Sequence, residues 1–265
     1  MDIPDTGDEV AELALTINAT LQRLEEAAAA QRRFVAAAAH ELRSPLATLL
    51  AGLEVAVVYP DRTDWPAVVS SALRQARRLS GLAEELLLLA RLDAGAPAAP
   101  AERIDLAALA SRLGEEYKEL TGGSPRVDLL ADGPDTATVF AAPGDVERIL
   151  RNLLDNAMRH AAGRVLLTVA RDRARCPSVV CTVRDDGIGV PATDRERIFE
   201  RFTRLDESRT RAAHGTGLGL AIARDLATRQ VGRLVLALQP TGSGACLVLT
   251  LPAAEDASAA PTPCR

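Results

Sequence analysis

His40 lies in the segment AAAHELRSPLATLL, with a carboxylate, Glu41, directly after it. On an ideal helix turning about 100° per residue, Phe34, Val35, Ala38, Leu42, Pro45, Leu46, Leu49 and Leu53 all fall on the side opposite His40. The imidazole therefore points away from the apolar stripe. Its own face carries Ala36, Ala37, Ser44 and Ala47, small side chains that leave room for another molecule to approach. A single histidine on a helix surface is ordinarily just solvated. Here Glu41 can hold one ring nitrogen and raise the nucleophilicity of the other. Pro45 adds a second signal, because proline inside a helix costs roughly 3 kcal/mol and predicts a kink.

Three further segments are rich in groups that bind phosphate or a base. Around RILRNLLDNAMRHA, the residues Val146, Leu150, Leu153, Leu154, Ala157, Met158 and Ala161 form a buried helix face, while Asn152, Asn156 and Arg159 share the opposite one. Carboxamide oxygens are hard ligands that can hold Mg²⁺ together with phosphates, and a guanidinium can hold phosphate oxygens. In VRDDGIGVP a predicted strand ends in Asp185 and Asp186, followed by Gly187 and Gly189. A carboxylate there can accept a hydrogen bond from an exocyclic amine such as that of adenine, and glycines let the backbone approach a ligand closely. In HGTGLGLAIARDLA, Gly215, Gly217 and Gly219 open a helix, where bare amides and the positive helix end meet an anion. This is neither a P-loop, since GK[ST] is missing, nor a dinucleotide fingerprint, since no βαβ unit surrounds it. Between the last two segments, the Arg-rich FERFTRLDESRTRAA reads as a lid over phosphates.

Apolar periodicity supplies the elements that must position these groups. From Asp8 to about Val58 one long helix is predicted, with Val10, Leu13, Ile17, Leu21, Leu24 and Ala28 continuing into the stripe opposite His40. Tyr59-Pro60-Asp61 breaks it, and Asp64 can cap a second helix over Trp65 to Leu92. A helical hairpin alone leaves both stripes wet, so a four-helix bundle made by two copies, a homodimer, is expected. The stretch DAGAPAAPA then reads as a linker. Beyond it, helices near Asp105–Leu120, Asp145–Ala161 and after Gly217 alternate with strands near Val127, Val139, Arg164–Ala170, Val179–Arg184, Leu234–Leu238 and Ala245–Leu251. The fold class is α+β and multidomain: a long helical hairpin followed by an α/β sandwich. The tail AAEDASAAPTPCR is expected to be disordered.

Composition narrows the function classes. The 265 residues suffice for one large or two small domains, and 25% charged with 48% apolar residues excludes wholesale disorder. Aromatics are only 3%, with the apolar weight on Ala, Leu and Val, which favours helix. A net charge of −5 offers no basic field for nucleic acid. Lys118 is the only lysine, so the cations are nearly all arginine forks. The four cysteines, Cys176, Cys181, Cys246 and Cys264, have neither metal-site spacing nor a disulfide framework, which suits a reducing cytoplasmic setting. No apolar run is long enough to span a membrane, and the acidic MDIPDTGDEV is no signal peptide.

Together and in this order, the segments resemble the transmitter region of bacterial sensor histidine kinases over roughly residues 8–252. HELRSPL is similar to the phospho-acceptor box, NLLDNAMRH to the N box, DDGIG and GTGLGLAI to the two glycine boxes, and RIFERF to the phenylalanine box. The opening GDEVAELALTINATLQRL resembles the last helix of a HAMP signalling module. The resemblance implies five segments: a HAMP-like helix at 1–30, a dimerisation and histidine-phosphotransfer hairpin at 31–93, a linker at 94–101, an ATP-binding domain of the gyrase, chaperone and histidine kinase superfamily at 102–252, and a tail at 253–265. It also implies roles. His40 is the phosphoacceptor and Glu41 its acid/base; Asn156, with Asn152, holds Mg²⁺; Arg159 and His160 contact phosphate or nucleotide. Asp185 reads the adenine amine beside Gly187 and Gly189; Phe199, Phe202 and Arg204 belong to the lid; and Gly215, Thr216, Gly217, Leu218 and Gly219 form the ATP-binding turn.

The implied activity is two-component signal transduction: autophosphorylation of His40 from Mg-ATP, then transfer to an aspartate of a response regulator receiver domain. The implied setting is the cytoplasmic portion of an inner-membrane receptor. Some positions depart from the family. Ala39 replaces the common serine; Ser44 replaces Thr or Asn in the element assigned to regulator dephosphorylation; and Arg229-Gln230-Val231-Gly232 lacks the usual histidine and paired glycines, a change expected to affect packing. Three alternatives are a nucleotide-binding scaffold without chemistry, a serine-directed kinase on the same ATP fold, and an ATPase of the gyrase and chaperone type. The last needs a carboxylate base where this helix offers Asn152.

Overall fold

The computed structural model describes residues 6–131, 137–172, 177–204, 215–238 and 244–254. Two long helices come first. α1 spans Thr6–Val58, 53 residues, or about 80 Å at 1.5 Å per residue. It runs unbroken through Pro45, whose ring is buried; lacking an N–H, Pro45 gives the Glu41 carbonyl no donor. A 3₁₀ turn at Pro60–Arg62 reverses the chain into α2, Trp65–Asp93. Asp64 caps α2 as expected, its Oδ1 accepting the Ala67 N–H at 3.1 Å.

Contacts divide the chain into two units, Met1–Leu86 and Leu87–Arg265, so the last two turns of α2 belong to the second. Within the first unit Ala56 and Leu82 are buried, while Leu13, Ile17, Leu21, Leu24, Leu46, Leu50, Val69 and Leu73 remain exposed. The hairpin alone thus leaves most of its apolar stripes in water, as the periodicity predicts.

The second unit is an α/β sandwich. β1 (Glu102–Asp105) pairs antiparallel with β3 (Thr138–Ala141) in a two-stranded sheet. Sequence periodicity misses β1, which is too short to alternate visibly. On the other edge of β3, Ala253 bridges Val139 and the Ala254 N–H donates to the Thr138 carbonyl at 2.8 Å. The first two residues of the expected disordered tail are therefore paired; its remainder, 255–265, lies outside the described residues, as do 205–213 of the expected lid and His214.

The main sheet has the order β2 (Arg126–Ala131), β4 (Arg164–Asp172), β5 (Ser178–Asp185), β7 (Cys246–Pro252), β6 (Arg233–Leu236). β2 and β4 are parallel, joined by a crossover through α4 (Pro143–His160); the other pairs are antiparallel. α3 (Leu106–Thr121) and α5 (Gly219–Arg229) complete the helical layer. Alternate strand residues, Val165, Leu167 and Val169, Val179, Cys181 and Val183, Leu247, Leu249 and Leu251, are buried on one face. They meet Val146, Ile149, Leu150, Leu153 and Leu154 of α4 and Ile222 and Leu226 of α5 in one core, where truncating any leucine to alanine costs about 2–5 kcal/mol.

Gln230 bolts the end of α5 to the start of α4: its buried Oε1 accepts the Ala142 N–H at 3.0 Å, and its Nε2 donates to Asp145 at 2.7 Å. The departure at this position therefore serves packing. Beside it Val231 is exposed at φ +57°, a left-handed conformation that a β-branched residue adopts at a cost. Val231→Gly is expected to stabilise the protein by about 1 kcal/mol, read as a higher denaturant midpoint at unchanged slope.

Candidate functional site

The rotation of α4 about its axis decides which groups it offers. Its apolar face is fully buried in the core, and its outer flank is tied to α3: Tyr117 donates to Asp155 at 2.6 Å, and Arg151 forks onto Glu116 with two bonds of 2.8 Å. What remains carries Asn152 and Asn156, both half-buried, and the exposed Arg159. Nδ2 of Asn152 is buried without a hydrogen-bond partner, an arrangement that costs stability unless a ligand completes it.

This polar face meets the start of α5. A Cβ on Gly219, the first residue of α5, would stand 3.5 Å from Asn152 Oδ1, and one on Gly215 would stand 3.1 Å from the Arg159 guanidinium. The glycines let Asn152 and Arg159 lie against the opening of a helix, where unpaired N–H groups favour anions. Thr216 accepts the Leu218 N–H at 3.3 Å within this turn. Leu218 itself is 0% exposed; its side chain anchors the turn in the core, so only its backbone can face a nucleotide.

The end of β5 closes the opposite side. Asp185 is 3% exposed, and its Oδ1 accepts the N–H groups of Gly187 at 2.9 Å and Ala245 at 3.2 Å. Oδ2 has no partner among the described residues, which leaves one oriented acceptor for an amine. Asp186 turns the other way, to the Ala162 and Gly163 N–H groups at 2.8 and 3.0 Å. Those donors, Gly163 foremost, hold its carboxyl below the usual range. A side chain on Gly187 would overlap the His160 carbonyl, one on Gly244 the Asp185 carbonyl, and one on Gly189 would stand 2.9 Å from the Gly244 carbonyl. Gly244, at φ +80°, is a site residue that sequence reasoning misses; its signal, a glycine pair just before an apolar strand, is present in TGSGACLVL.

Of the phenylalanine segment, residues 199–204 lie among those described. Phe199 is 7% exposed and packs on α5, with the Arg224 guanidinium 4.9 Å from its ring centre and bonded to Glu196 at 3.0 Å. It belongs to the core. Phe202 and Arg204 are half-buried, and Phe202 takes φ +62°.

In the first unit His40 and Ser44 are exposed on α1, one turn apart on the same face. Glu41 does not turn to the imidazole: its Oε2 lies 3.6 Å from Arg78 of α2, because successive helix residues point about 100° apart. A role for Glu41 at the ring requires its carboxylate to leave that pair.

His160, at the end of α4, is held below the ordinary imidazole value of 6.5, first by burial and then by the Arg159 charge. A depressed histidine contributes stability above its unfolded value and loses it as protons are taken up. Unfolding free energy is expected to fall as pH drops below about 6.5, and His160→Gln is expected to flatten that slope, followed by denaturant titration across pH.

Comparison with known proteins agrees with this geometry. Residues 141–255 match the family of histidine kinase-, DNA gyrase B- and HSP90-like ATPases, and residues 30–95 match the His Kinase A phospho-acceptor domain. The sensor protein IrlS of Burkholderia pseudomallei is 35% identical over 84% of this chain and 47% of its own length. BaeS of Escherichia coli, a signal transduction histidine-protein kinase, is 33% identical over 96% of this chain and 53% of its own. The chain thus spans about half the length of the curated relatives it matches. Among solved structures, the Acinetobacter baumannii histidine kinase AdeS shares the fold with a TM-score of 0.65 at 22% identity, covering 80% of this chain and 97% of that one. Full-length ShkA in complex with AMPPNP aligns with a TM-score of 0.59 at 26% identity, covering 86% of this chain and 47% of that one. With a phospho-acceptor hairpin followed by an ATPase domain of this type, the chain belongs to the sensor histidine kinases.

Proposed function

We propose that this chain is the catalytic portion of a two-component sensor kinase, which transfers the γ-phosphoryl group of Mg-ATP to His40 and from there to an aspartate on a response regulator. The observation that carries the proposal is His40 itself, an exposed imidazole among small side chains on the helix matched as a phospho-acceptor. ATP is the nucleotide that fits the second unit, whose family is named for ATP use and whose relative ShkA holds AMPPNP.

In the transfer, the lone pair of an unprotonated His40 nitrogen forms the N–P bond while the bond from phosphorus to the ADP oxygen breaks. The proton on the other ring nitrogen is then released to solvent or to Glu41. Little covalent work falls to the protein; positioning and charge do most of it. Asp185 Oδ2 would accept the adenine amine, Arg159 would hold phosphate oxygens, and the Gly215–Gly219 turn would supply N–H groups to the triphosphate. Asn156 with Asn152 would hold Mg²⁺, which supplies charge to offset that of the phosphates. A carboxamide at Asn152 cannot act as a base for water, which favours transfer over hydrolysis.

The segment boundaries proposed are those of the sequence reading: HAMP-like helix 1–30, hairpin 31–93, linker 94–101, ATP-binding domain 102–252 and tail 253–265. The exposed leucines of the hairpin support a homodimeric four-helix bundle. Ser44, exposed one turn after His40, is the candidate for regulator dephosphorylation. No helix among the described residues is long and apolar enough to cross a membrane; a longer parent receptor in the inner membrane would place this portion in the cytoplasm.

Incubation with γ-labelled ATP and Mg²⁺ is expected to give an acid-labile, alkali-stable label that His40→Gln abolishes; label persisting in that variant would refute the assignment. Asn152→Ala removes a buried unpaired amide. It is expected to leave the nucleotide-free protein as stable or more stable by about 1 kcal/mol, while Mg-ATP affinity falls about ten-fold or more, measured by unfolding and titration calorimetry.

A further inference from the structure

Asp93 stands where a carboxylate is locally unfavourable. It is the last residue of α2, at the negative end of the helix dipole. Its partner comes from far along the chain: Arg201 donates from Nη1 to Oδ2 at 2.7 Å and from Nη2 to Oδ1 at 2.6 Å, a two-point fork. The same Nη2 reaches Asp225 of α5 at 3.3 Å. The mutual bonding holds the Asp93 carboxyl below its ordinary range. All three residues lie in the second unit.

The next residue along, Phe202, is one of two non-glycine residues with positive φ among those described. Such a conformation persists only where its surroundings over-determine it. One restraint is visible on each side. Upstream, Arg201 is anchored at two points on separate helices. Downstream, the Phe202 N–H donates to the Gly217 carbonyl at 2.9 Å, and a Cβ on Gly217, itself at φ +72°, would stand 2.9 Å from the Phe202 backbone. Gly217 sits in the middle of the turn that opens α5.

We infer that Arg201 is a positioning residue for the nucleotide site: gripped by Asp93 and Asp225, it holds Phe202 in its left-handed conformation and, through the Phe202–Gly217 hydrogen bond, fixes the glycine turn at the start of α5. The last turn of the hairpin helix is thereby a structural support of the nucleotide site. The inference rests on the reading of that turn as the phosphate-binding element.

Asp93→Asn separates this role from mere stability, because removing a negative charge at a helix C-terminus favours the helix. Titration of the full chain with Mg-AMPPNP is expected to show Kd raised about five-fold or more in Asp93→Asn and in Arg201→Ala, with the double variant no weaker than Arg201→Ala alone. Arg201→Lys, which keeps the charge but not the fork, is expected to recover only part of the affinity. The unfolding midpoint of Asp93→Asn is expected to stay within about 3 °C of wild type. Asp93→Asn binding within about two-fold of a wild type that itself binds tightly, or losses that multiply in the double variant, would overturn the inference alone. A wild type that does not bind Mg-AMPPNP would overturn the nucleotide reading and the inference with it.

Discussion

Backbone lies against backbone along one side of the site. The strand that ends in Asp185 passes so close to the His160 carbonyl that only a glycine fits at 187, and the loop entering β7 passes so close to Asp185 that only a glycine fits at 244. These approaches bring the end of β5, the end of α4 and the start of β7 to a single place. Asp185 can then spend one oxygen on the N–H groups of Gly187 and Ala245 and present the other, while Asp186 closes the turn after α4. Side chains could not define this corner as rigidly, because each would add rotatable bonds where the present contacts have none.

The remainder of the site follows from the burial of α4. Six apolar residues on one face leave it a single orientation, and the Tyr117–Asp155 and Arg151–Glu116 contacts reinforce that orientation from α3. Asn152 and Arg159 then face the opening of α5 by default, with Asn156 on the same side of α4. On that face Nδ2 of Asn152 is buried without a hydrogen-bond partner.

Much of this was legible in the sequence because it repeats at short range. The helix period exposes the two faces of α4 and the outward direction of His40, and the glycine spacing marks both glycine turns of the candidate site. What escaped depends on distant partners. Glu41 follows His40, but its carboxylate belongs to Arg78 across the hairpin. Phe199 and Leu218 sit inside segments whose pattern suggests ligand binding, yet their own side chains are buried in the core. Gly244 acquires its meaning only from the carbonyl of Asp185, and four-residue β1 only from its pairing with β3. Local pattern carries direction and type; it carries no information on which remote group will be met.

The short strand β3 has a consequence for how this region can be used in larger proteins. Its one edge takes β1, the first strand after α2, and its other edge takes Ala253 and Ala254, the last described residues. The two are thus separated by the width of a single strand. A region whose two ends meet in this way can be spliced into a longer polypeptide as a cassette, with neither connection having to cross the body of the fold.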